Sequence, residues 1–193
     1  MRVSKQTAAD NRRRILTAAA RLFRERGIDG AGVDAITEAA GLTHGAFYSQ
    51  FGSKETVVAE ALRQVLDESR ESWVRTAGSG EKGDVLTGFI DSYLSRPHRD
   101  APGAGCAVAA LGSDIARQPK RVRQVFTQKL EETIDLLAGL LPGKTASRRH
   151  DEAIRLFSTM LGALILARAV DQEALARRIL KTTGDKLKGV ASR

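Results

Sequence analysis

Along this chain of 193 residues the apolar positions recur at helical spacing and almost never alternate. No stretch sustains a period of two and the β-branched residues are scattered, so the pattern predicts an all-α protein of about nine helices. The first runs from about Ala9 to Arg26, where Ile15, Ala19, Leu22 and Phe23 share one face and Gly27 stops it. A short second helix fits Asp34 to Ala40, with Ile36 and Ala40 inward and Gly41 at its end. A third covers His44 to Phe51 and is broken by Gly52-Ser53. Ser53 can cap a long fourth helix carrying Val58, Leu62, Val65, Leu66 and Trp73.

Beyond that point the punctuation is less regular. Thr76 to Gly83 has the composition of a loop. Val85, Phe89, Ile90, Tyr93 and Leu94 predict a fifth helix ending near Arg96-Pro97, followed by a second loop from His98 to Gly105. A sixth helix is expected from about Cys106 to Arg117. Pro119 suits the first turn of a seventh, which runs to Leu141 and is closed by Pro142-Gly143. The eighth, Ser147 to Val170, is the most apolar segment. Asp171 can cap a ninth that reaches about Lys188.

The second and third helices are separated only by Gly41-Leu42-Thr43. A short glycine-containing turn between two short helices is the geometry of a helix-turn-helix, whose second helix lies in the DNA major groove. Glycine there permits a positive φ, Leu42 can plug a three-helix core, and Thr43 can cap the following helix so that its end faces a phosphate. Within His44–Phe51, Phe47 and Phe51 are one turn apart and read as core, which turns Tyr48 to another face.

These residues resemble the TetR family of bacterial transcriptional regulators. The likeness is carried by Arg14-Ile15-Leu16, Ala19-Ala20, Leu22-Phe23 and Gly27, then Val33-Asp34, Ile36 and Ala39 through Thr43, then Gly45, Phe47-Tyr48, Phe51 and Ser53-Lys54-Glu55. It implies a DNA-binding unit over residues 1–53 and a helical effector-binding and dimerisation unit over 54–193. It implies that Tyr48 packs on the DNA backbone and bonds a phosphate, that Lys54 and Thr43 also hold phosphates, and that His44, Gly45, Ala46 and Ser49 face base edges. Two departures stand out. Where the family often has Ser or Thr ahead of the second helix, this chain has Ala31-Gly32, and no Arg or Lys lies between Leu42 and Ser53. Readout would therefore lean on His44, Gln50, methyl contacts and DNA shape.

Composition adjusts this picture at the edges. The net charge of +8 favours a polyanionic partner, and Arg12, Arg13 and Arg14, with Arg2 and Lys5, form a basic N-terminal segment. That segment reads either as a frayed, solvated terminus or as an arm, with Arg12 and Arg13 on DNA. The lone Cys106 allows no intramolecular disulfide. Standing at a helix start, it is either a redox-sensitive thiol or a small core or pocket residue. The N-terminus lacks an apolar leader, and Leu156 to Ala167 is too short to cross a bilayer, so a soluble cytoplasmic protein is expected. His44, His98 and His150 have no metal-ligand spacing, and no catalytic triad, carboxylate pair or phosphate loop stands out. No metal, cofactor or enzymatic activity is expected.

The resemblance also assigns work to the apolar eighth helix. One front would meet the equivalent helices of a second copy in a four-helix bundle, through Phe157, Leu161, Leu164, Ile165 and Arg168, with Leu175 and Ile179 of the ninth. The other would line a chamber for a small apolar effector, near Trp73, Phe89, Tyr93, Cys106, Val108, Leu111, Phe126 and Met160. The resulting expectation is a homodimeric repressor of a palindromic operator, released by the effector. A non-specific architectural DNA binder without effector control is the alternative.

Overall fold

The computed structural model describes residues 5–77, 82–143 and 145–191. Among them are ten α-helices and one 3-10 turn, with no strand. α1 (Lys5–Arg26), α2 (Val33–Ala40) and α3 (His44–Phe51) form an N-terminal trio. α4 (Lys54–Ala77) leads away from it, at 1.5 Å per residue about 36 Å long, and is followed by α5 (Lys82–Tyr93) and α6 (Arg96–Asp100). The turn Pro102–Ala104 precedes α7 (Ala107–Ile115), α8 (Lys120–Leu140), α9 (Ala146–Ala169) and α10 (Glu173–Ala191). The eighth and ninth helices expected from the sequence are thus α9 and α10.

The N-terminal trio closes over Ile15, Ala19, Leu22, Phe23, Ile36, Phe47 and Phe51, all buried. Their helical spacing puts them on the inward faces of one long and two short amphipathic helices. This core is continuous with the rest, because α1 packs on α4, on α7 and on the Pro102–Ala104 turn. α8 crosses α4 and α9, and α10 lies along α9 and α5. Lys129 of α8 clamps α4 by bonding Asp67 at 2.7 Å while also holding Glu132 at 2.9 Å. Lys188 of α10 reaches Asp91 of α5 at 2.8 Å.

Four expectations are corrected. The first helix begins by Lys5, so Arg12, Arg13 and Arg14 stand on a formed helix and not in an arm; Arg2 lies outside the described residues. The stretch expected as a loop from His98 to Gly105 contains the end of α6 and the 3-10 turn. Pro97 had been read as a terminator, yet it occupies the first turn of α6, where it starts a helix, and Ser95 caps that helix by accepting from His98 N at 3.3 Å. Of the loop expected over 76–83, positions 78–81 lie outside the described residues, while 76–77 end α4 and 82–83 begin α5.

Candidate nucleic-acid interface and the adjoining cavity

The turn between α2 and α3 is built by its glycine. Gly41 has φ 61° and ψ 41°, and its N–H and that of Leu42 bond the carbonyls of Glu38 and Thr37, both at 2.9 Å. That left-handed closure is costly for any residue with a Cβ. Leu42 packs against the core, and Thr43 caps α3 by accepting from Ala46 N at 3.3 Å. From this base α3 shows two faces. Phe47 and Phe51 are buried, while Tyr48 is 52% exposed, its ring edge-on to Phe47 at 5.3 Å.

Around Tyr48 the structure gathers Thr43, His44, Gly45 and Ser49, all exposed, and the half-buried Ala46. A Cβ added at Gly45 would touch only Thr43 Oγ1, at an ordinary 3.8 Å, so nothing inside the protein demands glycine there. Lys54 opens α4 and makes no ion pair among the described residues. The N-terminus of α2 starts at Gly32 with no side-chain cap, leaving its first N–H groups free at the position where the family often offers a hydroxyl. Two side chains are committed within the protein. His44 Nε2 contacts the Asp34 carboxylate across the turn. Arg12 bonds the Gln50 carbonyl at 2.7 Å, pairs with Glu60 and lies 4.3 Å over the Phe51 ring, so it fastens α1 to α3 and α4 and does not reach outward. Arg13 remains exposed and bonds Asp10 of its own helix at 3.0 Å.

Above this unit a cavity of about 510 Å³ opens between α1, α4, α5, α8 and the start of α7. Four of the residues expected around an effector line it: Trp73, Phe89, Tyr93 and Cys106. The other four do not. Val108 and Phe126 line a separate apolar groove of about 560 Å³ between α7, α8 and α9, Leu111 is packed against Phe23 and Leu62, and Met160 is sealed in the core. Helical spacing identifies an apolar face but not which neighbour it meets.

The cavity is also more polar than expected. Arg24, Glu68, Ser69, Ser72, Ser92, Ser95 and His98 contribute to its wall. His98 is held through both ring nitrogens: Nδ1 donates to the Tyr93 carbonyl at 2.6 Å and Nε2 accepts from Cys106 N at 2.9 Å. Those bonds fix the neutral tautomer, and burial lowers the imidazole's pKa below its ordinary range. Gly105 makes the fit possible, since a Cβ there would stand 2.9 Å from the His98 ring and 2.7 Å from Arg168. The Tyr93 hydroxyl, on a residue only 4% exposed, has no oxygen or nitrogen partner among the described residues and lies beside the Cys106 thiol. Arg24 donates from Nε to the Gly103 carbonyl at 2.7 Å, and burial lowers its guanidinium from the usual value. Neither Arg24 nor His98 was assigned a role from the sequence; each acquires its partners only when α6 and the following turn fold back on α1.

The residues expected at a dimer interface divide as well. Phe157 and Leu164 are buried in the chain's own core, and Arg168 bonds the carbonyls of Arg99 at 3.1 Å and His98 at 2.8 Å, which anchors α6. These three are corrected to intrachain roles. Ile165 and Leu175 are exposed, Leu161 and Ile179 are half-buried, and Ile154 and Leu166, not anticipated, join them outside.

An all-α fold with a glycine-turned helix pair presenting a tyrosine, joined by one long helix to a walled cavity, defines a helix-turn-helix regulator. The family profile described as "Bacterial regulatory proteins, tetR family" matches residues 15–61. The chain is 41% identical over 148 residues, 75% of its length and 71% of the relative's, to the HTH-type transcriptional repressor KstR2 of Rhodococcus jostii. It is 27% identical over 165 residues, 81% of its length and 84% of the relative's, to an uncharacterized HTH-type transcriptional regulator of Mycobacterium tuberculosis. Its fold matches the reduced form of Escherichia coli NemR with a TM-score of 0.80 at 19% identity, covering 94% of this chain and 96% of that one. A TetR transcriptional regulator from Chloroflexus aurantiacus matches with a TM-score of 0.80 at 22% identity, covering 97% of each chain. The protein belongs to the TetR family of bacterial transcriptional regulators. It is a DNA-binding regulator and not an enzyme. Among the described residues no helix is long and apolar enough to cross a membrane.

Proposed function

We propose that the chain is a repressor that binds a palindromic operator as a homodimer and leaves it when a small molecule enters the cavity beside Trp73. The observation that carries this reading is shared construction. α1 and α4 hold the helix-turn-helix through Phe23, Phe47 and Phe51 on one side, and wall the cavity through Arg24, Val65, Ser69 and Trp73 on the other. A ligand that preferred a different setting of α4 would shift the spacing of two recognition helices, which must meet half-sites roughly 34–36 Å apart. Residues 1–53 act as the DNA-binding unit and 54–193 as the effector and dimer unit, with α4 as the lever between them.

On DNA, Tyr48, Thr43 and Lys54 grip phosphates, the free N–H groups of α2 add a contact where Ala31-Gly32 offers no hydroxyl, and His44, Gly45, Ala46 and Ser49 face the bases. The test is selection of bound sequences from random duplex DNA at fixed salt, where a two-fold symmetric motif is expected to emerge. Binding with no enriched motif would instead indicate an architectural protein. On the selected operator, Tyr48→Phe with Lys54→Ala should weaken affinity and flatten its salt dependence by about one contact per lost charge, with the fold retained. Unchanged affinity would remove both residues from the phosphate contacts.

A further inference from the structure

The wall of the cavity is chemically uneven. Trp73, Phe89, Val65, Val85, Leu137 and Leu140 make an apolar side, and the polar end is concentrated where α1, α5 and α7 converge on Cys106. Three features of that end favour negative charge, and each rests on a different observation. The guanidinium of Arg24 makes no close ion pair among the described residues, although Glu68 and Glu25 lie near enough to act on its charge, and its Nε donates to the Gly103 carbonyl at 2.7 Å. Glu68 is the one carboxylate among the lining residues, yet it is exposed and already bonded to Gln64 at 2.8 Å. The Tyr93 hydroxyl is buried with no oxygen or nitrogen acceptor among the described residues; its one polar neighbour is the Cys106 thiol, a weak acceptor, which leaves a strong donor poorly satisfied. The nine-residue helix α7 begins at Cys106 without a side-chain cap, so its free N–H groups border the same end.

We propose, resting on the reading of this cavity as the effector site, that its ligand is an amphipathic monocarboxylate. The carboxylate takes the free N–H groups of Arg24 and accepts from Tyr93 Oη beside the start of α7, while an aromatic or aliphatic body lies against Trp73, Phe89 and the leucines of α8. Arg24 faces the carboxylates of Glu68 and Glu25, and the nearby Arg168 is committed to the carbonyls of His98 and Arg99, so the site suits at most one negative charge and disfavours a dianion such as a phosphate monoester. A cavity of about 510 Å³ accommodates a body of one or two rings or a medium alkyl chain. Charge-assisted bonds from a guanidinium in a partly desolvated wall are the strong kind, so the acid should be set clearly apart from a neutral isostere.

Trp73 is the chain's single tryptophan and stands in the wall, which makes intrinsic fluorescence a reporter of this site alone. The full chain is titrated with 3-phenylpropionate, 4-phenylbutyrate, 1-naphthylacetate and decanoate, each beside its primary amide. At least one acid is expected to change Trp73 emission with an affinity about tenfold or more above its amide. Arg24→Gln should abolish that gap while leaving the amide's binding nearly unchanged, and Tyr93→Phe, which keeps the ring and its packing, should weaken the acid about threefold to tenfold. The acid-to-amide comparison on the unaltered protein and the Tyr93→Phe variant decide the matter even if Arg24→Gln destabilises the chain. The proposal is overturned if no acid of the series binds, if amides bind as well as acids, or if Arg24→Gln leaves a folded protein with the gap intact. Release of operator by a neutral compound, with the acids inert, keeps the effector reading and overturns this one. Acids that bind through Arg24 and Tyr93 without loosening the operator support the ligand class and count against the effector reading.

Discussion

His98 carries the clearest consequence at the scale of single residues. Its neutral ring is a bridge, donating to Tyr93 and accepting from Cys106, and a second proton on Nε2 would convert that acceptor into a clash of donors. Burial holds its pKa below the ordinary 6.5. As pH falls through 6.5 the unfolded chain takes up a proton that the folded chain refuses, so stability present above that value is lost below it. The melting temperature should therefore drop as pH falls below 6.5 more steeply for the unaltered protein than for His98→Gln, which is less stable at neutral pH but lacks the titrating group. Parallel pH profiles for the two proteins would assign the acid sensitivity elsewhere. The same residue marks the limit of sequence reading. Nothing local in the sequence announces a histidine whose partners lie five residues before it and eight after it. Tyr48 was legible for the opposite reason: its position beside Phe47 and one turn from Phe51 fixes its direction within a single helix.

At the scale of elements, helix ends were legible wherever glycine or a hydroxyl cap supplied the stop or start. α3 spans the residues its pattern predicts, and Ser53 caps α4 by accepting from Thr56 N at 3.2 Å. They were illegible between Arg96 and Gly105, where the same Pro and Gly residues that mark loops instead start α6 and tighten the turn after it. How elements join was harder still. The end of α1 is held to α7 by the Asp114 carboxylate, which accepts from Ile28 N at 3.0 Å and is steadied by Arg117 at 2.7 Å. Ile28 is buried, so removing its acceptor strands a backbone donor. Asp114→Ala should cost about 1–3 kcal/mol, while Asp114→Asn, which keeps an acceptor oxygen, should cost less. For a chain of this size that is a fall of about 2–4 °C in melting temperature per kcal/mol, measurable by calorimetry. Equal melting temperatures for the alanine and asparagine variants would mean that the bond to Ile28 contributes nothing.

For the whole molecule the decisive question is what covers the outer face of α9. Phe157, Met160, Leu164 and Ala167 point into the core, yet Ile154, Ile165 and Leu166 are 41%, 43% and 57% exposed on the other side, with Leu175 of α10 nearby at 42%. Sequence spacing revealed a helix apolar on two fronts, and the structure sorts which residues serve which. An eight-residue recognition helix, about 12 Å long, reaches only a few base pairs, so specific binding calls for a second copy. Burying this face against its own symmetry mate satisfies both needs through one isologous contact. In the proposed homodimer, replacing Ile165 and Leu166 together with Glu would place two charges in that contact while leaving the core residues untouched. The variant should sediment as a folded monomer with unchanged helix content. Its operator affinity should fall about a hundredfold or more, because the second half-site no longer benefits from the first. A variant that stays dimeric and retains operator affinity would exclude this face, together with the apolar groove between α7, α8 and α9 that Ile154 and Ile165 help to line.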